Sequence, residues 1–130
     1  MPVYTIDLKS HAIHHLDKYG IKRYKYTGPL AFLGLMQNAS LVLTQSFHGT
    51  LFSSLFNRPF WSYNWIGMHN PDDDIATAIL EQMGLPDRYQ MIDDLKANDE
   101  ILRPIDFAPV NKRIEDMRAC AMDYLADCFK

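Results

Sequence analysis

The stretch Leu41–Phe56, LVLTQSFHGTLFSSLF, decides how this chain is read. Its first four residues are mostly apolar, partly β-branched and bounded by polar residues, as a buried parallel strand is. Its second half places Leu51, Phe52, Leu55 and Phe56 on one stripe at helical spacing. Gln45–Thr50 would then be the turn at the carboxyl end of the strand. Ser46 is a candidate N-cap, and Gly49 lets the backbone come close to whatever is bound. The first turn of such a helix offers unpaired N–H groups and the positive end of its dipole, which suits an anion such as phosphate. Thr44, Ser46 and Thr50 add hydroxyls. His48 adds a group that can hold or release a proton near neutral pH. On pattern alone, an equally good reading is a histidine that satisfies a buried backbone group, with Ser and Thr as ordinary caps.

Working outward, strands and helices alternate. VYTIDL (3–8) and IKRYKY (21–26) alternate apolar and polar residues, as strands do. Between them SHAIHHLDKYG (10–20) reads as a short helix capped by Ser10 and ended by Gly20. PLAFLGLMQNA (29–39) follows Gly28 and is a helix with proline in its first turn. Asn57-Arg58-Pro59 stops the helix after Ser46, and the aromatic FWSYNW (60–65) is a strand. DDDIATAILEQMG (72–84) has acidic residues in its first turn and a closing glycine. Residues 85–105 are irregular, with room for one short strand. The last helix, 107–128, has Asp106 as its cap and a stripe of Val110, Ile114, Met117, Ala121, Tyr124 and Cys128. This alternation predicts an α/β fold: a three-layer α/β/α arrangement around a parallel, Rossmann-like sheet. Ligands of such sheets bind beyond the carboxyl ends of the strands, where the 44–50 turn would lie.

The bulk composition narrows the class. The chain has 130 residues, 48% of them apolar and 12% aromatic, which suits one folded domain. Its net charge is −3 with no long basic run, so no nucleic-acid partner is expected. No apolar stretch approaches the ~20 residues of a membrane span. The opening MPVYTIDLKS lacks the basic start and apolar middle of a secretion signal. Cys120 and Cys128, eight residues apart on one helix, cannot bridge each other and read as small buried hydrophobes. A cytoplasmic location is expected, with room for a peripheral position at the inner membrane face. His11, His14 and His15 lack a completing ligand, so no metal site is expected. Asp72–Asp74 reads as a helix start complementing the dipole. Trp61, Tyr63 and Trp65 share one strand face. Core packing is the simpler reading, and stacking on a sugar ring the sharper one.

GPLAFLGLMQNASLVLTQSFHGTLFSSLFNRPF (28–60) resembles the polysaccharide pyruvyl transferase family. The shared features are the glycine-proline, a helix ending in Asn-Ala, an apolar strand, a Ser-Phe-His-Gly-Thr turn and an Asn-x-Pro-Phe exit. MGLPDRY (83–89), PIDF (104–107) and the final helix are similar to the tails of such proteins, so the resemblance runs over roughly residues 24–128. It implies half of a GT-B-type architecture, the C-terminal Rossmann-like domain, with a missing N-terminal domain facing it across a cleft. It implies transfer of a pyruvyl group from phosphoenolpyruvate to a saccharide acceptor, with no cofactor. His48 would hold or protonate the donor, with Thr44, Ser46, Gly49 and Thr50 around it. Ketal formation needs an acid for the enol carbon and positive groups for the departing phosphate. In some members a basic residue downstream of the motif holds the donor. Between Pro59 and Leu85 there is no Lys or Arg, so Arg58 is the nearest candidate. A 130-residue chain supplies only one half of such a cleft and is expected to be inactive alone. A homo-oligomer is a further expectation. Two rivals remain: a GT-B glycosyltransferase using a nucleotide sugar, and a non-catalytic interaction module that keeps the fold.

Overall fold

A computed structural model of the protein describes residues 2–6, 16–24, 28–64 and 75–130. The chain forms two compact units, Met1–Leu35 and Met36–Lys130. In the first, β1 (Val3–Thr5) pairs in parallel with β2 (Ile21–Arg23), Val3 standing opposite Ile21. The Tyr24 N–H extends the ladder by donating to the Thr5 carbonyl at 3.1 Å, and the rings of Tyr4 and Tyr24 meet edge to face. A 3-10 turn over Leu16–Tyr19 ends at Gly20, whose φ of 69° reverses the chain into β2. The rest of the helix expected over 10–20 lies outside the described residues, as do His11, His14, His15 and Asp72–Asp74. Helix α1 (Pro29–Asn38) begins after Gly28, whose carbonyl accepts from the Phe32 N–H at 3.0 Å. The boundary between the units falls within α1.

The second unit carries β3 (Val42–Thr44), β4 (Phe60–Asn64) and β5 (Tyr89–Met91) in the order β3-β4-β5. Every pairing is parallel: Val42 opposite Phe60, Thr44 opposite Ser62, and Ser62 in turn opposite Tyr89. The protein is therefore mixed α/β with parallel strands, in two small sheets. Helices α2 (Phe47–Leu55) and α3 (Ile75–Met83) lie between successive strands of the second sheet. The irregular stretch after residue 85 contains β5 and, beyond the reading from sequence, a five-residue helix α4 (Ile92–Lys96). Phe60, Leu80, Met83 and Val110 are almost wholly buried. Helix α5 (Phe107–Cys128) begins as expected, Asp106 Oδ1 accepting from the Ala108 N–H at 3.1 Å. Only its start is buried. From Ala119 onward every residue is exposed, Met122, Tyr124 and Phe129 among them. Cys120 and Cys128 are therefore exposed free thiols rather than the buried hydrophobes expected, because the stripe outruns the core that covers Val110.

Two helices end by the same device. After α2 the Asn57 N–H reaches Ser54 O and the Arg58 N–H reaches Ser53 O, with Asn57 at φ 54°. After α3 the Gly84 N–H reaches Glu81 O and the Leu85 N–H reaches Leu80 O, with Gly84 at φ 75°. Both are Schellman caps, and the left-handed residue is the one that carries the strain. Asn57→Ala is expected to cost about 1 kcal/mol in urea unfolding, and Asn57→Gly almost nothing. Equal losses in the two variants would show that the Asn57 side chain, and not its backbone, matters.

Trp61 is held on the sheet face opposite α2. Its Nε1 donates to the Ile101 carbonyl at 2.8 Å, and Arg88 Cζ lies 4.6 Å from the ring centroid. Arg88 is 2% exposed, and its Nη2 donates to the carbonyls of Arg103 and Pro104 at 3.0 and 2.8 Å. Arg103 stands over the same ring at 5.6 Å and pairs with Asp87. Burial pulls the Arg88 guanidinium below its usual pKa; the charge of Arg103 adds to this and Asp87 opposes it. Core packing is thus what the structure gives Trp61. Tyr63, on the same face, is half-buried, and its phenol is raised by burial. Trp65 lies outside the described residues.

Candidate functional site

The turn at the carboxyl end of β3 is built almost entirely from hydroxyls and backbone. Thr44 closes the strand, and its Oγ1 accepts from the Ser46 N–H at 3.1 Å. Ser46 has extended backbone, with φ −99° and ψ 142°, and its Oγ accepts from the Gly49 N–H at 2.9 Å. This is the N-cap expected from the sequence. The Ser46 carbonyl accepts twice from Thr50, from its N–H at 3.0 Å and from its Oγ1 at 3.2 Å. The N–H groups of Phe47 and His48 have no carbonyl one turn behind them and complete the open end of α2. His48 is exposed beside them, its ring edge-on to that of Phe47 with centroids 5.6 Å apart.

The face of α2 that meets the sheet differs from the stripe read in the sequence. Its buried residues are Gly49, Thr50, Ser53 and Ser54, whereas Leu51, Phe52 and Phe56 are half-buried and Leu55 is exposed. The reason is proximity. A Cβ on Gly49 would stand 2.1 Å from Thr44 Oγ1 and 2.8 Å from Thr44 Cβ, so only small residues fit between helix and strand. The buried hydroxyls stay satisfied by reaching back one turn, Ser53 Oγ to Gly49 O at 2.7 Å and Ser54 Oγ to Thr50 O at 3.1 Å. Gly49 therefore closes on Thr44, where the sequence suggested closure on a ligand.

Besides Gly49, the expected site residues divide into three groups. Thr44, Ser46 and His48 gather at the open end of α2. Thr50 belongs to the same turn but is wholly buried, its hydroxyl against Ser62 Oγ of β4. Arg58 is not brought to the turn. It precedes β4 at the amino end of the strands, separated from His48 by the length of α2, about 13 Å at 1.5 Å per residue. Its Nε is buried and has no hydrogen-bond partner among the described residues. Ser62 is a contributor that the sequence reading missed. Its only signal was a lone hydroxyl in an aromatic strand, on the face opposite Trp61 and Tyr63. Among the described residues no group of three or more His, Cys, Asp or Glu side chains is placed to hold a metal ion. Nor is any described helix long and apolar enough to cross a membrane.

A parallel strand that hands over through a hydroxyl-closed turn to a helix with an open first turn and an exposed histidine is, chemically, an α/β site suited to an anion and a proton. Residues 3–66 match the family model of the polysaccharide pyruvyl transferases, a family of transferases, and this stretch contains the whole turn. Over it, just under half of the chain, the protein is similar to that family, and the matched stretch includes the likeness read from Gly28–Phe60. The match also takes in β1 and β2, which lie before the likeness quoted from the sequence. No curated protein and no solved structure matches the chain.

Proposed function

We propose that the turn 44–50 is the donor site of a pyruvyl transferase acting on a saccharide of a cell-surface polysaccharide, with phosphoenolpyruvate as donor. The observation that carries this reading is the exposed His48 beside the open N–H groups of α2, inside the stretch that matches the family. Phosphoenolpyruvate brings a phosphate and a carboxylate. The amides of Phe47 and His48 hold one anionic group, and the helix dipole favours it there. His48 is the acid that protonates the enol carbon, or the charge that pairs with the donor. Ser46 and Thr44 fix the turn. Gly49 and Thr50 set its closeness to the sheet.

Residues 44–50 include no Lys or Arg. Arg58 lies at the far end of the strands, and the sequence offers no Lys or Arg between Pro59 and Leu85. In this reading the chain is the C-terminal, Rossmann-like half of a two-domain transferase of the cytoplasm. The facing domain supplies the positive groups that hold the leaving phosphate. The test is a calorimetric titration of phosphoenolpyruvate into this chain and into His48→Ala. Saturable binding that falls at least about tenfold in the variant, the effect of one charge-assisted contact, supports the reading. Equal affinity in the two proteins would remove His48 from the donor site.

A further inference from the structure

We propose that Ser62, on β4, is a positioning residue for the His48 turn and acts through Thr50. The inference rests on the reading of that turn as the donor site. Thr50 and Ser62 are 0% and 2% exposed, and their hydroxyls touch each other. A hydroxyl carries one proton. Thr50 Oγ1 also lies 3.2 Å from the Ser46 carbonyl, which can only accept. The satisfied arrangement is therefore directional: Ser62 donates to Thr50, and Thr50 donates to Ser46 O. That carbonyl belongs to the N-cap of α2, whose own Oγ holds the Gly49 N–H. His48 sits between these two anchored positions.

This chain of hydroxyls matters because it ties the start of α2 to β4, whereas the Thr44 contacts tie it to β3. The residues it buries are a glycine, a threonine and two serines, and the two serines bond within the helix. Thr50–Ser62 is a side-chain hydrogen bond that crosses from α2 to the sheet. Losing the Ser62 hydroxyl leaves Thr50 buried without its donor, and a buried hydroxyl seeks another partner. With that tie to β4 gone, Thr50 keeps only its bond to Ser46 O, and the first turn is held less firmly against the sheet. The fold is held elsewhere, by Phe60, Trp61 and the α3–α5 packing, so the change falls on the turn.

The experiment uses this chain as five proteins: wild type, Ser62→Ala, Thr50→Val, Thr50→Ser and the Ser62→Ala/Thr50→Val double variant. The His48 imidazole is followed by NMR, and phosphoenolpyruvate is titrated into each. Ser62→Ala and Thr50→Val are expected to shift the His48 signals and to weaken phosphoenolpyruvate about five- to tenfold, the scale of one buried hydrogen bond. Thr50→Ser, which keeps the hydroxyl, should restore both. Combining Ser62→Ala with Thr50→Val should add nothing, since both break one chain. Unmoved His48 signals with unchanged affinity in a folded Ser62→Ala would overturn the inference and leave the donor-site reading intact. If the wild type binds no phosphoenolpyruvate while Ser62→Ala still moves His48, the donor-site reading fails and the positioning role of Ser62 stands.

Discussion

Gly49→Ala is expected to be among the most damaging substitutions in this chain, although it adds a single methyl group. The added Cβ would overlap Thr44 Oγ1 at 2.1 Å and Thr44 Cβ at 2.8 Å, and press on Ser46 Oγ at 3.1 Å. Rotation of the Thr44 side chain relieves only the first contact, and it breaks the bond that Thr44 Oγ1 accepts from the Ser46 N–H. Relief of the second requires α2 to move off the sheet, away from Ser62. Overpacking of this kind usually costs 1–3 kcal/mol, and here two anchors are lost with it, so about 3 kcal/mol or more is expected. That is a large part of the stability of a small domain. Urea unfolding of Gly49→Ala measures the loss. The same substitution in a Thr44→Ala background should cost less, because the 2.1 Å contact is gone while the 2.8 Å contact remains. A loss below about 0.5 kcal/mol in the wild-type background would mean that helix and strand are not held this close.

Arg88→Met is expected to cost about as much, for the opposite reason. The guanidinium is 2% exposed, lies against Trp61 and bonds the carbonyls of Arg103 and Pro104. Standing just before β5, it joins that end of the strand to the segment that also takes the Trp61 indole N–H at Ile101. Methionine fills similar volume but leaves two carbonyls without their charged donor, about 1.5–3 kcal/mol for such a bond, and removes the cation from the ring. A net loss of about 3 kcal/mol should appear in denaturant unfolding, with a change in indole fluorescence in the folded protein. Arg88→Lys should recover less than half of the loss, because an ammonium cannot stack flat on the ring and reach both carbonyls. A lysine variant as stable as wild type would show that charge alone is required at this position.

Much of the second unit was legible because its signals are local. Ser46 and Asp106 announce their helices through cap chemistry, and Asn57 and Pro59 stop α2 within a residue or two. The strands at 42–44 and 60–64 stand out as short β-branched or aromatic runs. The buried face of α2 was not legible. The rule that large apolar residues face the core assumes ordinary spacing, and here a Gly-Thr-Ser-Ser face packs closer than a leucine allows. Helix α4 is five residues long, too short for periodicity to register. The stripe of α5 was legible as far as Cys128, but where its cover stops depends on α3, which the sequence of α5 cannot report. Arg58 is near His48 in sequence, yet α2 carries the chain from one end of the strands to the other, a separation that sequence distance does not report. The likeness in residues 28–60 was legible because order and spacing repeat together over one continuous run, and the family match includes that run.

All the strands described here run parallel to their neighbours, and this sets the order in which the second unit can assemble. A parallel pair has no hairpin to start it. Val42 cannot meet Phe60 until the chain between them has looped back with α2 inside it, and Ser62 cannot meet Tyr89 until the chain carrying α3 has done the same. Each ladder is formed only after the entropy of its loop has been lost. The folding rate of this unit is therefore expected to follow loop closure rather than how readily each helix forms. The His48 turn, at the point where β3 becomes α2, takes shape with the first of those closures.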